Sequence, residues 1–181
     1  GAAGALGSQL RKHIAELGIE PVLSDRVPPA GGAAGEDFRI CDLADLPAVR
    51  QLVEGVDAIV HLGGEGLETT FERIVQSNIV GCYNIYEAAR KAGIRRVVYV
   101  SSIHAVGFRE RSETIDADDP PRPDSLYGVS KTFGENLSRY YFDKFGIESV
   151  CLRVGSCFPK PTDRRQLITW LSYRDFCQLI R

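Results

Sequence analysis

Short apolar runs alternate with amphipathic stretches along almost the whole chain, which restricts the architecture to strands joined by helical crossovers. The strand candidates are "PVLSD", "FRICDLAD", "DAIVHLGG", "RRVVYVSS" and "SVCLRVGSC". Between them lie segments with helical periodicity. "SQLRKHIAELG" carries Leu10, Ile14 and Leu17 on one face and stops at Gly18, and "PAVRQLVEGV" repeats the pattern. A longer helix runs from Phe71 to Ala92, apolar at Ile74, Val75, Ile79, Cys82, Ile85 and Tyr86, and ends at Gly93. Another follows through "SLYGVSKTFGENLSRYYFDKF", capped by Asp124 or Ser125 and stopped by Gly146. Strands joined by helices pair in parallel, so the expected class is α/β with a doubly wound parallel sheet. "RVPPAGGAAGED" and "IHAVGFRERSETIDADDPPRPD" read as loops, and "LITWLSYRDFCQLIR" as a short amphipathic segment.

With 181 residues the chain is of single-domain size. Its 44% apolar and 25% charged content is that of an ordinary globular protein, with no long uncharged run and no signal-peptide pattern, so no membrane partner and a cytoplasmic location are expected. A formal charge of -2 with mixed signs leaves no basic stripe, which argues against a nucleic-acid partner. Cys41, Cys82, Cys151, Cys157 and Cys177 form no CxxC pair and lie mostly inside apolar runs. They read as buried thiols rather than metal ligands or a disulfide frame.

The first residues, "GAAGALG", place Gly1, Gly4 and Gly7 three apart, the spacing of a tight turn that opens a helix beneath a dinucleotide pyrophosphate. Such a turn ordinarily follows a strand, and none precedes it here. The sequence also holds no methionine. The expectation is a single nucleotide-binding domain, residues 1–181, cut from a longer chain. It would lack its first strand, near the centre of the sheet, and a carboxyl-terminal segment. Such a stretch on its own should bind NAD weakly or not at all.

The strongest chemical signal is "YGVSK", in which Tyr127 and Lys131 stand one turn apart at the start of a helix. A phenol is a poor base at neutral pH, and an adjacent ammonium favours its phenolate. "VVYVSS" ends a parallel strand with Ser102, where ligand sites of open α/β sheets gather, so Ser102 can donate to a reacting oxygen beside Tyr127. Asp25 ends the second strand, where a carboxylate pairs with ribose hydroxyls and repels a phosphate, favouring NAD over NADP. Leu62, Gly63 and Gly64 follow another strand and suit close backbone approach to a ligand. Asn78, inside a mostly apolar helix, either meets a nicotinamide or satisfies backbone nearby.

Through "GAAGALG", "HLGG", "SNIVGCYNIYEAARKAG", "VVYVSS" and "YGVSK" the whole chain resembles the extended short-chain dehydrogenase/reductase family of NAD-dependent epimerase/dehydratase type. It is most similar there to the uronate dehydrogenases, through "RPDSLYGVSKTFGENL", "DKFGIE", "RVGSCFPKP" and "TWLS". The resemblance implies a Rossmann-type fold that binds NAD. Tyr127 would be the catalytic base, Lys131 would lower its pKa and hold the nicotinamide ribose, and Ser102 would position the substrate hydroxyl. Gly1, Gly4, Leu6 and Gly7 would meet the cofactor, with Asp42 and Leu43 flanking the adenine and Cys157 meeting the nicotinamide through its backbone. Ser156 and His104 would orient sugar hydroxyls, and Arg165, with Arg164 as a rival, would grip the sugar carboxylate.

Two positions depart from that pattern. Ile103 stands where the family usually has asparagine, and Gly66 where it commonly has serine, so two polar groups leave the expected sugar pocket. The implied reaction is oxidation of a uronic acid, galacturonate or glucuronate, at its anomeric carbon. Alternatives are a nucleotide-sugar epimerase or dehydratase and a non-catalytic NAD-binding regulator. The helices bearing Asn78 and Tyr127 are apolar on more than one side and suit packing against a second copy, giving a homo-oligomer.

Overall fold

The computed structural model describes residues 1–14 and 18–181. Helix α1 (Ala5–His13) opens the chain and is followed by strands β1 (Val22–Asp25) and β2 (Asp37–Ile40). Next come α2 (Leu46–Leu52), β3 (Ala58–His61) and a long helical segment made of α3 (Phe71–Ile74), a π-helical stretch (Val75–Val80) and α4 (Gly81–Ala92). Strand β4 (Arg96–Ser102) leads through a 3-10 turn (Ile103–Val106) to α5 (Leu126–Phe145), β5 (Glu148–Val154), α6 (Arg164–Ile168) and α7 (Tyr173–Leu179). Leu17, expected on the buried face of the first helix, lies outside the described residues.

All the paired strands are parallel, as crossover helices require. They form two sheets rather than one, β1 beside β2, and β3-β4-β5 with β4 in the middle. β1 and β3 both border a cleft of about 1210 Å³ that runs between the sheets and opens at the glycine turn. Gly1 sits at the carboxyl end of that gap, its nitrogen and that of Ala2 donating to the Ser24 carbonyl at 2.8 and 2.9 Å.

Two apolar layers flank β4. On one face Val97 and Tyr99 pack with Val49, Cys82, Ile85, Tyr86 and Tyr141 from α2, α4 and α5. On the other, Val100 and Val154 pack with Leu10 of α1 and with Phe176 and Cys177 of α7. Each fully buried side chain of this kind contributes about 1.5–3 kcal/mol. Four of the cysteines are buried, Cys151 is half-buried, and none forms a disulfide.

The helix ends follow the sequence signals. Gly93 and Gly146 close α4 and α5 with φ of 76° and 70°, a conformation that favours glycine. Ser125, not Asp124, caps α5, its hydroxyl accepting from the Gly128 amide at 3.0 Å. The long helix expected over Phe71 to Ala92 is continuous but widens into π-helical turns at Val75–Val80, a departure that periodicity does not reveal. The final amphipathic segment falls into the end of α6 and all of α7, and Trp170 between them bridges back to Ser156 just after β5.

Candidate active site

β4 pairs with β3 through His61 opposite Tyr99 and then continues beyond it to Ser102, which therefore stands at the carboxyl edge of the sheet. The first turn of α5 comes down on that edge. Gly128 meets the chain just after β4, where a Cβ would lie 2.9 Å from the His104 carbonyl carbon. Gly134, two turns on, lies against the Tyr99 ring, with a Cβ position only 2.6 Å from Cε1. These bare backbone contacts bring α5 close enough for its side chains to reach β4.

Ser102, Tyr127 and Lys131 are consequently gathered at one point, all of them buried. Lys131 Nζ donates to the Val100 carbonyl at 2.9 Å and lies 5.5 Å from the centre of the Tyr127 ring. Burial lowers its pKa from the usual lysine value to about 8. The Tyr127 phenol is raised by burial, against which a hydrogen bond from Ser102 works to lower it. Burial is the larger of the two influences on the phenol, and Ser102 the one set against it.

Around this centre the loop after β3 is tied to α5. Asn78, in the π-helical stretch, accepts from the Glu65 amide at 2.7 Å, donates to the Glu65 carbonyl at 3.2 Å and donates to Ser130 Oγ at 2.9 Å. Ser130 passes its own proton to the Tyr127 carbonyl at 2.7 Å. Three nearby groups thus use the Asn78 amide, as one of the two readings open for it expects. Gly64 has φ of 119°, and a Cβ there would meet Asn78 Oδ1 at 2.6 Å. Glu68 adds a second tie, its carboxylate accepting from the Leu126 and Tyr127 amides at 3.2 and 2.7 Å.

The glycine turn lies across the same edge. A Cβ on Gly1 would meet the Leu62 carbonyl carbon at 2.5 Å, so backbone packs on backbone there, and one on Gly63 would meet the Leu43 side chain, Cδ1, at 2.5 Å. Asp25 accepts from the Ala3 amide at 3.0 Å and from the Arg26 amide at 2.7 Å. Gly4, at the head of α1, gives the helix no side-chain cap. The first-turn amides and the cleft beside Asp25, Leu43 and Gly63 thus fit a dinucleotide's phosphates and ribose. Leu6 is half-buried in the first turn of α1, and Asp42 is exposed, accepting from the Ala44 amide at 2.9 Å.

The expected substrate residues are less tightly gathered. His104 stands edge-on to Tyr127, with ring centres 5.6 Å apart, and Ile103 beside it is half-buried. Ser156 is half-buried and bonded to Thr169 Oγ1 at 3.2 Å, while Cys157 faces the second apolar layer, where burial pushes its thiol up to about 11. Arg165 is exposed on α6 with no ion-pair partner among the described residues. Gly66 is exposed, with open space where a Cβ would be.

Sequence reasoning missed Glu68 and Glu135 as positioning groups, and considered Asp124 only as a cap. Glu135 accepts from Ser101 Oγ at 2.6 Å and from Arg153 at 3.0 and 2.8 Å, locking α5 to β4 and β5. Its place one turn beyond Lys131, on the face that meets the sheet, was the available signal.

A parallel α/β fold with a serine, tyrosine and lysine at the strand edge beside a glycine turn defines a dinucleotide-binding domain of reductase type. The profile of the NAD dependent epimerase/dehydratase family matches residues 1–174, and the chain belongs to that family. It is 50% identical over 182 residues to the uronate dehydrogenase of Pseudomonas syringae, covering 99% of this chain and 66% of that protein. The crystal structure of a glucuronic acid dehydrogenase from Chromohalobacter salexigens superposes with a TM-score of 0.95 at 50% identity, covering 99% of this chain and 68% of that one. A mutant uronate dehydrogenase from Agrobacterium tumefaciens, solved in complex with NAD, gives a TM-score of 0.92 at 48% identity, covering 99% and 68%. The chain thus spans about two thirds of the length of these relatives. Among the described residues, no helix is long and apolar enough to cross a membrane.

Proposed function

We propose that this chain carries the cofactor-binding and proton-transferring part of an NAD-dependent dehydrogenase. The enzyme oxidises a uronic acid, galacturonate or glucuronate, at the anomeric carbon to an aldarolactone. The observation that carries the reading is the burial together of Ser102, Tyr127 and Lys131 at the strand edge, in a chain 50% identical to uronate dehydrogenases. Gly1, Gly4, Leu6 and Gly7 hold the pyrophosphate side of NAD, Asp25 its ribose, and Asp42 and Leu43 the adenine. Leu62, Gly63, Gly64 and Cys157 offer backbone to it, and Asn78 acts by fixing the loop that contains Gly64.

Bound NAD supplies the acceptor for the hydride. Tyr127, as phenolate, takes the proton of the anomeric hydroxyl. Before substrate binds, Ser102 gives its single proton to the Tyr127 oxygen, offsetting the desolvation that otherwise keeps the phenol protonated, and with substrate in place that proton turns to the substrate oxygen. Lys131 adds positive charge beneath the ring and holds the nicotinamide ribose. His104 and Ser156 orient hydroxyls. Arg165, always charged and able to form two parallel hydrogen bonds, takes the carboxylate.

NADH formation from NAD and galacturonate by the full-length protein tests the reading, and no turnover of any uronate refutes it. The second reading, a nucleotide-sugar epimerase, predicts tightly held NAD without net NADH release. We assign the protein to the cytoplasm, which five cysteines without a disulfide suit. We also assign a homo-oligomer built on α4 and α5, where Tyr83, Val129 and Phe142 are 45%, 49% and 48% exposed. A monomer in sedimentation at working concentration refutes that assignment.

A further inference from the structure

On each side of the cleft a charged residue directly follows one expected to meet the cofactor. After β1 it is Arg26, which follows Asp25, and after β3 it is Glu65, which follows Gly64. Arg26 lines the cleft, and its guanidinium lies 3.6 Å from Glu65 Oε1. The ion pair therefore runs from one sheet edge to the other at the carboxyl end, where Gly1 and the first turn of α1 lie. The proposed reaction makes no use of either side chain.

The two halves of the pair are held differently. The Glu65 main chain is tied to Asn78 through both its amide and its carbonyl, and Arg73 donates to Oε1 of its carboxylate at 2.9 and 3.2 Å. Its side chain is 16% exposed. Arg26 is 54% exposed, and at 3.6 Å its contact with Glu65 is longer than a hydrogen bond. Glu65 is thus a fixed post and Arg26 the arm that can swing. Arg11 also lines the cleft, but its guanidinium is bonded to Glu36 and to the Gly32 carbonyl, so it is not free to act in this way.

We propose that the Arg26–Glu65 pair is a clasp across the bound dinucleotide and sets how fast the cofactor leaves. The inference rests on the dinucleotide-binding reading above. The two ends of the clasp stand on opposite sides of the cleft, each next to a cofactor-facing residue, so a ligand seated between them leaves only when the pair parts. An exposed ion pair is weak and opens readily, so entry is little hindered. In many enzymes release rather than chemistry limits turnover, which makes this contact a control on kcat as well as on residence time. The sign of the effect separates a clasp from a simple field. Glu65 is an anion beside a ligand that carries two phosphates: through its charge alone it would push the ligand out, and as the post of a clasp it keeps the ligand in.

Stopped-flow displacement of NADH from the full-length protein, followed by its fluorescence, reads release without any turnover. Glu65→Gln should release NADH about two- to five-fold faster than the parent, with the association rate little changed. Arg26→Ala should do the same, and the double variant should be no faster than either single one, because all three lose the same contact. High salt should speed release from the parent and narrow its difference from Glu65→Gln. Arg73→Ala slackens the hold on Glu65 but leaves the clasp, and should not speed release. Slower release from Glu65→Gln means that the residue acts through its charge alone and overturns the clasp. Equal acceleration by Arg73→Ala means that only a slack loop is being read, and also overturns it. Unchanged release from Glu65→Gln and Arg26→Ala refutes the clasp and leaves the dinucleotide reading standing, whereas a parent that binds no NADH refutes that reading and the clasp with it.

Discussion

Replacing Gly134 by alanine sets two effects of known size against each other. In the middle of α5, alanine is favoured over glycine by about 0.8–1 kcal/mol through helix propensity. Against this, the new methyl would lie 2.6 Å from Cε1 of Tyr99 and nearer still to Cζ and the hydroxyl, where carbon contacts need about 3.5–4.0 Å. Tyr99 is 2% exposed and packed between β4 and α5, next to His61 at 5.7 Å between ring centres, so its ring has nowhere to swing. Overpacking of this kind costs about 1–3 kcal/mol. Because three atoms of a buried ring are overlapped, the cost falls in the upper part of that range, about 2–3 kcal/mol, so it wins and the net loss is about 1–2 kcal/mol.

At roughly 2–4 °C per kcal/mol for a chain of this size, Tm should drop by about 2–8 °C. Relief by tilting α5 would move Tyr127 and Lys131 away from Ser102, and a misplacement of about 1 Å can cost on the order of 100-fold in rate. Urea denaturation and NADH formation read the two consequences separately. Tyr99→Phe in the same chain removes the hydroxyl from the contact and should return part of the lost stability, a coupling that a double-mutant cycle measures. A Gly134→Ala protein as stable as its parent, with the same turnover, would refute the claim that α5 is seated by contact of bare backbone on Tyr99.

Acid should weaken the fold through His61, which is buried neutral with its pKa lowered to about 3, chiefly by desolvation and then by the charge of Lys131. Its unfolded form takes a proton below about 6.5 while the folded form does not, so stability is full above that pH and falls as pH drops toward 3. Between pH 7 and 5 the unfolding free energy should lose roughly 2 kcal/mol from this group, and His61→Phe should flatten that dependence in urea titrations. Ser102→Ala removes the hydrogen bond that lowers the Tyr127 phenol, so turnover should fall and the acid limb of its pH profile, below which the base is protonated, should move upward. An unmoved limb would refute Ser102 as the group opposing desolvation. Asn78→Ala leaves the Glu65 amide without its acceptor and deprives Ser130 Oγ of its donor, which should cost about 2–4 kcal/mol in denaturant unfolding. Tyr127→Phe should retain the parent's Tm and lose about 100-fold or more in NADH formation.

The parts of the fold legible in the sequence were those set by local chemistry. Gly93 and Gly146 announced helix ends because a left-handed residue is required there, and the apolar run through Val97 and Val100 announced a strand buried on both faces. Tyr127 and Lys131 were legible because helical spacing alone puts them on one face. What stayed hidden depends on tertiary approach. The π-helical turn at Val75–Val80 has no composition signature, yet it accompanies the burial of Asn78 against the loop after β3 and against Ser130. Glu68 and Glu135 look like solvated charges in sequence, because nothing local reveals that a helix start and a strand end come to meet them.

The pKa of the phenol shows why spacing and electrostatics must be kept apart. A lysine one turn away guarantees proximity, but proximity lowers a phenol only while the ammonium is charged and the phenol is not itself desolvated. Here the same packing that brings Lys131 to 5.5 Å from the ring also removes both groups from water and lowers Lys131 to about 8. With a pKa of about 8 Lys131 keeps most of its charge at pH 7, while burial holds the phenol up, and the buried Ser102 at the end of β4 is the group set against that burial. In the proposed reaction activation depends on Ser102, Tyr127 and Lys131 being gathered by α5 docking on β4, so a substitution that lifts the helix should lose activity together with stability.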